Sequence, residues 1–163
     1  MIDLKGNETS DSVLFQIVES VTDTFLKMPA TAAKPPEGAG PPAADLWTGS
    51  ISITGGFNGA VSLTCTRAFA LRAAQTVFGD DFAENDAFAQ DLLAELTNIV
   101  GGTIKCLFSE TTAAACAMSI PSVSVGTVFH PDATLLTQLW ATCDTELIRV
   151  DIFEAKDDLK SRN

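Results

Sequence analysis

The run Leu46-Trp47-Thr48-Gly49-Ser50-Ile51-Ser52-Ile53-Thr54-Gly55-Gly56-Phe57-Asn58-Gly59-Ala60-Val61-Ser62-Leu63-Thr64-Cys65 is where the hydrophobic period of this chain becomes two. Ile51 and Ile53 alternate with Ser50, Ser52 and Thr54, and Gly55-Gly56 turns the chain into Phe57, Gly59, Val61, Leu63 and Cys65, again at every second position. Successive strand side chains point to opposite faces, so this pattern predicts a β-hairpin with one buried face. The glycines there lack the following Lys and Ser or Thr of a phosphate-binding loop, and a hairpin turn accounts for them.

Outward from the hairpin the period is helical. Residues 11–27 carry Val13, Leu14, Ile17, Val18, Val21, Phe25 and Leu26 at helix spacing, with Ser10 or Asp11 as N-cap and Pro29 as the stop. The Pro-, Ala- and Gly-rich run 29–44 reads as a loop. After the hairpin come a helix over 67–78 ending at Gly79, an acidic segment, 80–86, read as N-terminal capping, and a long helix over about 86–108. Four short extended segments follow at 113–120, 123–129, 135–143 and 146–154, the last two joined by Asp144-Thr145, and the charged tail 155–163 is expected to fray. Strands grouped together, without regular β-α-β alternation, argue for an α+β domain: an antiparallel sheet packed with amphipathic helices.

Length suits one domain spanning 1–163 with a sizeable core. Ten basic against 21 acidic residues give a formal charge of -11, which repels phosphate backbones and anionic lipid, so neither nucleic acid nor a membrane surface is an expected partner. No apolar run approaches the ~20 residues of a membrane span, and Met1 to Glu8 lacks the regions of a signal peptide, so a cytoplasmic location is expected. Cys65, Cys106, Cys116 and Cys143 are dispersed with only His130 to help them, so zinc and a disulfide framework are not indicated; all four read as small core hydrophobes with free thiols. His130 reads as a surface loop residue, and Trp47 and Trp140 read as core.

Within the long helix, about 100° per residue places Leu92, Leu93, Leu96, Ile99, Val100, Thr103, Ile104 and Leu107 on one face and Asp91, Glu95, Asn98, Gly102 and Lys105 on the other. Glu95 and Asn98, at i and i+3, have Cβ atoms about 5 to 6 Å apart. Their small neighbours Ala94, Gly101 and Gly102 admit another surface, and the two glycines cost roughly 1 kcal/mol each relative to alanine. Periodicity alone allows two readings: a solvated acidic face with glycines for internal packing, or a face approached by a partner. Asp91 lies one turn before Glu95 and reads as a solvated aspartate or a secondary partner contact, and Lys105 as a cation complementing the C-terminal dipole.

The segment Glu95-Leu96-x-Asn98-x-x-x-Gly102-x-x-Lys105, with Ile120-Pro121-Ser122-Val123-Ser124-Val125-Gly126 after it, resembles the signature helix and following proline-to-glycine strand of the CheC/CheX/FliY chemotaxis phosphatases. The order of elements fits that family over roughly residues 11–154. The resemblance implies a CheX/CheC-like fold and a phosphatase acting on the phosphoaspartate of a CheY-type receiver domain. It implies that Glu95 docks to the receiver's active-site lysine and that Asn98 holds a water for in-line attack, with Asp91, Ala94, Gly101 and Gly102 facing the partner. Mg²⁺ is then expected on the receiver, and no cofactor or metal on this chain. CheC-type members carry two such motifs; here Glu19-Ser20-Val21-Thr22 has threonine in place of the amide, so one site per chain is expected, as in the CheX branch. A homodimer is a family-level expectation. The rival readings are a non-catalytic CheX-fold interaction module that binds a receiver or another signalling protein, and an unrelated structural domain.

Overall fold

The computed structural model describes residues 8–38, 40–82 and 84–156. Helix α1, Glu8–Val21, runs into a π turn, Thr22–Leu26, closed by Lys27 at φ 53°. Then come β1 (Ala30–Ala33), β2 (Leu46–Gly55), β3 (Gly59–Thr66), α2 (Arg67–Phe78) and α3 (Asp86–Thr112). Strands β4 (Cys116–Met118), β5 (Ser122–Val125), β6 (Ala133–Cys143) and β7 (Glu146–Ala155) complete the chain. All seven strands join one antiparallel sheet in the order β1-β6-β7-β3-β2-β4, with β5 also paired to the outer edge of β2. The α+β reading holds.

Period-two patterning sets the register. Ile51 faces Val61, Val61 faces Ile152, Leu63 faces Val150 and Val150 faces Leu139, so one sheet face is aliphatic across four strands. The three helices pack on that face and close the core with Leu14, Val18, Phe69, Leu93, Val100 and Ile104. The other face is polar. Thr48 hydrogen-bonds Thr64 at 2.9 Å, Ser50 hydrogen-bonds Ser62 at 3.2 Å, and buried Asp151 accepts from Gln138 Nε2 at 2.8 Å and Arg149 Nε at 2.7 Å. These partners satisfy buried polar groups that would otherwise each cost about 1 to 3 kcal/mol.

Several expectations need correction. The alanine-rich part of 29–44 is an edge strand, because an edge needs hydrogen bonds on one side only: Ala30 pairs with Cys143 and Ala33 with Trp140. Ser10 and Asp11 already lie inside the first helix, which runs from Glu8 among the described residues, so neither caps it; Asp11 accepts from Thr137 across the α1–β6 contact. Trp47 is core, whereas Trp140 lies half-buried on the polar face beneath the Arg149 guanidinium, 5.3 Å from its ring centroid. The turn before α3 is capped by the Asn85 side chain, which accepts from Phe88 N, while Asp86 pairs with Arg67. α3 runs on to Thr112, so Lys105 is not in its last turn. The tail beyond Lys156 and the segment Met1 to Asn7 lie outside the described residues. α3 is also long and apolar enough, by length and composition, to cross a membrane, but here it is the helix packed on the sheet.

Cys65 and Cys143 are buried as expected, but Cys106 is exposed and Cys116 half-exposed. Burial pushes the Cys65 thiol up to about 12 and the Cys143 thiol up to about 11, with Glu146 and Asp144 respectively adding to the shift. The thiolate is the nucleophile. A thiol reagent at neutral pH is therefore expected to label Cys106 first and to reach Cys65 and Cys143 only on unfolding, as mass spectrometry of partially labelled protein would read.

Candidate functional site

Helix α3 is seated on β2 by two glycines, one on each element. A Cβ on Gly49 would lie 2.0 Å from Thr97 Oγ1 and 3.0 Å from Thr97 Cβ; a Cβ on Gly101 would lie 1.9 Å from Ile51 Cδ1. Each glycine thus leaves room for a side chain from the opposite element, and helix and strand approach more closely than two alanines would permit. Thr97, fully buried, donates its hydroxyl to Leu93 O at 2.7 Å and so enters the core without an unsatisfied group.

This seating turns the buried stripe of α3. Its centre runs through Leu93, Thr97, Val100, Gly101, Ile104 and Phe108. Thr103, expected inward, is exposed, and Ile99 and Leu107 are half-buried beside it; with Val13, Ile17 and Phe25 they line a groove of about 360 Å³ between α1 and α3. Phe108 stacks on Phe57 of the β2–β3 turn with ring centroids 3.8 Å apart, holding the C-terminal half of the helix.

The opposite side of α3 carries the candidate residues. Asp91 and Glu95 are exposed and Asn98 is half-buried, successive turns of one face. Among the described residues, neither Glu95 nor Asn98 has a side-chain hydrogen bond or ion pair. Ala94 and Gly102 are half-buried, and a Cβ on Gly102 would meet nothing nearer than Met118 Cε at 3.9 Å. Gly101, expected to face the partner, is instead buried against Ile51, so it serves internal packing and is not accessible to a partner. Of the two readings of the glycine pair, each applies to one glycine.

The corresponding position of α1 differs in geometry as well as chemistry. Thr22 is buried in the π turn and donates to Glu19 O at 3.2 Å, so the Glu19-x-x-Thr22 segment does not present a partner-facing group at the position that Asn98 holds on α3. His130, expected as a surface histidine, is half-buried against Phe153, and burial lowers its pKa, partly offset by the charge of Asp151. Among the described residues no group of three or more His, Cys, Asp or Glu side chains could hold a metal ion.

The α3 face therefore offers a carboxylate and an amide held on a helix packed against the sheet, with no group of metal-binding side chains among the described residues. A carboxylate in that position can meet a cation, and an amide can both donate to and accept from a water. Such a pair lacks the parts for covalent catalysis. It suits chemistry in which the other reacting groups arrive on a partner.

A family model described as "Chemotaxis phosphatase CheX" matches residues 47–138, which run from β2 through β3, α2, α3, β4 and β5 into the first half of β6. Solved structures share the fold. The chemotaxis protein CheX of Vibrio vulnificus superposes with a TM-score of 0.69 at 22% identity, covering 86% of this chain and 92% of that one. CheX of Desulfovibrio desulfuricans gives 0.70 at 19% identity, covering 89% and 99%. A CheX–CheY–BeF₃–Mg²⁺ complex from Borrelia burgdorferi gives 0.66 at 17% identity, covering 96% and 100%. No curated protein matches this sequence.

Proposed function

This chain belongs to the CheX family of chemotaxis phosphatases, and from that premise we propose that it hydrolyses the phosphoaspartate of a CheY-type receiver domain. Glu95 docks to a lysine in the receiver's active site, and Asn98 orients the attacking water. The observation that carries this reading is the pair itself: an exposed carboxylate and a half-buried amide, neither paired among the described residues, on one face of a helix fixed to the sheet by Gly49–Thr97 and Gly101–Ile51. A relative solved with CheY, beryllofluoride and Mg²⁺ supports a receiver as partner.

Phosphoryl transfer asks a protein mainly for positioning and charge neutralisation. An acyl phosphate already has a good leaving group, the aspartate carboxylate. The water oxygen bonds to phosphorus as the phosphorus–carboxylate bond breaks, giving inorganic phosphate and the free aspartate. Asn98 needs only to hold that water in line, and it brings no charge against the phosphoryl group or the receiver's acidic pocket. Mg²⁺ belongs to the receiver on this reading, and this chain supplies no ligand to it. Asp91, like Glu95, is an anion on the approach face and favours a basic partner; Ala94 and Gly102 let the partner's backbone come close.

The test is the lifetime of the phosphoaspartate on a CheY-type receiver from the same organism, with Mg²⁺, in the presence of one-tenth as much of this chain. The expected result is faster decay. Unchanged decay together with tight binding would replace the phosphatase with a receiver-binding module, and neither decay nor binding to any receiver of the organism would remove both. Within the proposal, Glu95→Ala is expected to raise KM for the phosphorylated receiver roughly tenfold, the weight of one desolvated ion pair at an interface, with a smaller change in kcat. A titration of decay rate against receiver concentration separates the two.

A further inference from the structure

We propose that Phe78, Phe82 and Phe88, at the corner between α2 and α3, form an apolar knob that seats the receiver beside the Glu95–Asn98 pair, against an apolar patch rimmed by lysine or arginine. The inference rests on the phosphatase reading above and adds to it a second, independent anchor for the same partner.

The three rings touch only near the surface. Phe82 meets Phe88 edge-on with centroids 4.5 Å apart, Phe78 meets Phe88 at 5.6 Å, and Phe78 meets Phe82 at 6.1 Å. Phe78 is 42% exposed, Phe88 38% and the adjoining Val77 41%, and none belongs to the core packed under the helices. Single exposed apolar residues need no explanation, but aromatic rings clustered in the open mark an interaction surface. The helix ends that carry Phe78 and Phe88 are tied by side-chain hydrogen bonds. The Asn85 side chain caps α3 at Phe88 N, Arg67 forms a two-point pair with Asp86 at 2.6 and 3.3 Å, and Gln75 donates to Asp80 at 2.8 Å. Rings on helix ends tied in this way lose little freedom when a partner lands on them.

Position connects the knob to the site. Phe88 precedes Glu95 by seven residues, two helical turns, or about 10.5 Å along the axis and about 20° in azimuth. Phe88, Asp91, Glu95 and Asn98 thus form one exposed or half-exposed stripe of α3. A partner that reaches Asn98 and extends in the N-terminal direction of the helix meets the rings next. The charges around them select the partner: Asp80, Asp81, Glu84 and Asp91 are exposed carboxylates, and the nearby cation, Arg67, is already paired with Asp86. A receiver whose docking face is basic fits both the rim and Glu95, whereas an acidic partner is repelled.

The test compares the full-length chain with Phe88→Ala, Phe78→Ala, Asp81→Lys and Asn98→Ala, using a receiver of the same organism loaded with beryllofluoride and Mg²⁺ for binding and the phosphorylated receiver for turnover. The expected result is a Kd and KM raised roughly tenfold by Phe88→Ala, several-fold by Phe78→Ala and Asp81→Lys, with kcat changed by less than about twofold. Thermal melts identify any variant that fails to fold, and Asp81→Lys, at an exposed position, keeps the rim testable if a ring deletion unfolds the corner. Unchanged Kd and KM in the folded variants, while Asn98→Ala abolishes turnover, overturns the knob and leaves the phosphatase. A wild-type chain that neither binds nor dephosphorylates the receiver overturns both.

Discussion

Asn98→Ala is expected to lower kcat for receiver dephosphorylation by roughly 100-fold or more while leaving Kd for a beryllofluoride-loaded receiver within a few-fold of the wild type. The size follows from the role. A group that positions a reactant or stabilises a transition state in a closed site is worth on the order of 100- to 1,000-fold in rate when removed, whereas an amide whose partner is the attacking water contributes little to the affinity for the receiver itself. Alanine at position 98 keeps the helix, since alanine is the best helix former, and Asn98 makes no side-chain hydrogen bond within the described residues whose loss could unfold α3. Loss of rate with retained binding is the signature of an interaction made only in the transition state. Equal losses in kcat and affinity would point to a docking role for Asn98 instead.

Gly49→Val is expected to be the most damaging single change away from the site. Even one added carbon at position 49 would stand 2.0 Å from Thr97 Oγ1 and 3.4 Å from Leu93 O, and valine adds two more. Overpacking of a tight contact costs about 3 kcal/mol, which in a chain of this size lowers Tm by roughly 6 to 12 °C. Because the strain lies between β2 and α3, it also displaces the helix that carries Glu95 and Asn98, so kcat falls even at temperatures where the variant is folded. A double-mutant cycle separates this from a general loss of stability. Thr97→Ala removes the hydroxyl that Gly49→Ala would strike, so the double variant is expected to be less destabilised than the sum of the two. Strict additivity would show that Gly49 and Thr97 do not share the contact.

The hairpin was legible in the sequence because Ile51, Ile53, Val61 and Leu63 repeat at two with polar residues between them, and a one-residue slip would turn that whole set to the polar face. The C-terminal end of α2 and the β6–β7 turn at Asp144-Thr145 were legible for a similarly local reason: Gly79 and Asp144 both take positive φ. What could not be read was set by partners distant in sequence. The run Ala30–Ala33 becomes a strand only because β6 offers it a free edge. Thr97 looks polar and turns inward because Gly49, 48 residues earlier, leaves space for it and Leu93 O accepts its proton. Gly101 and Gly102 are neighbours in sequence yet divide between packing and surface once Ile51 is in place. The Phe78–Phe82–Phe88 cluster spans a helix end, a turn and a helix start, and no single periodicity contains it. Cys106 read as core from its residue type alone; its position, eleven residues after Glu95 and within about 20° of it around the helix, puts it on the exposed side of α3.

The site itself was legible as residue types at a spacing. Asp91, Glu95 and Asn98 do share the exposed side of α3, and the structure adds what spacing cannot give: how closely that helix is held to the sheet, and which of its small residues remain open. The absence of an Asn equivalent on α1 is both a sequence fact and a structural one, since Thr22 is buried where a second amide would have to be exposed.

The most direct measurement is continuous release of inorganic phosphate from a phosphorylated receiver held in large excess over the chain, with wild type and Asn98→Ala run in parallel. The account predicts that the wild-type rate rises in proportion to chain concentration, with many phosphates released per chain, and that Asn98→Ala follows the receiver's own decay. Equal rates for the two proteins would contradict it.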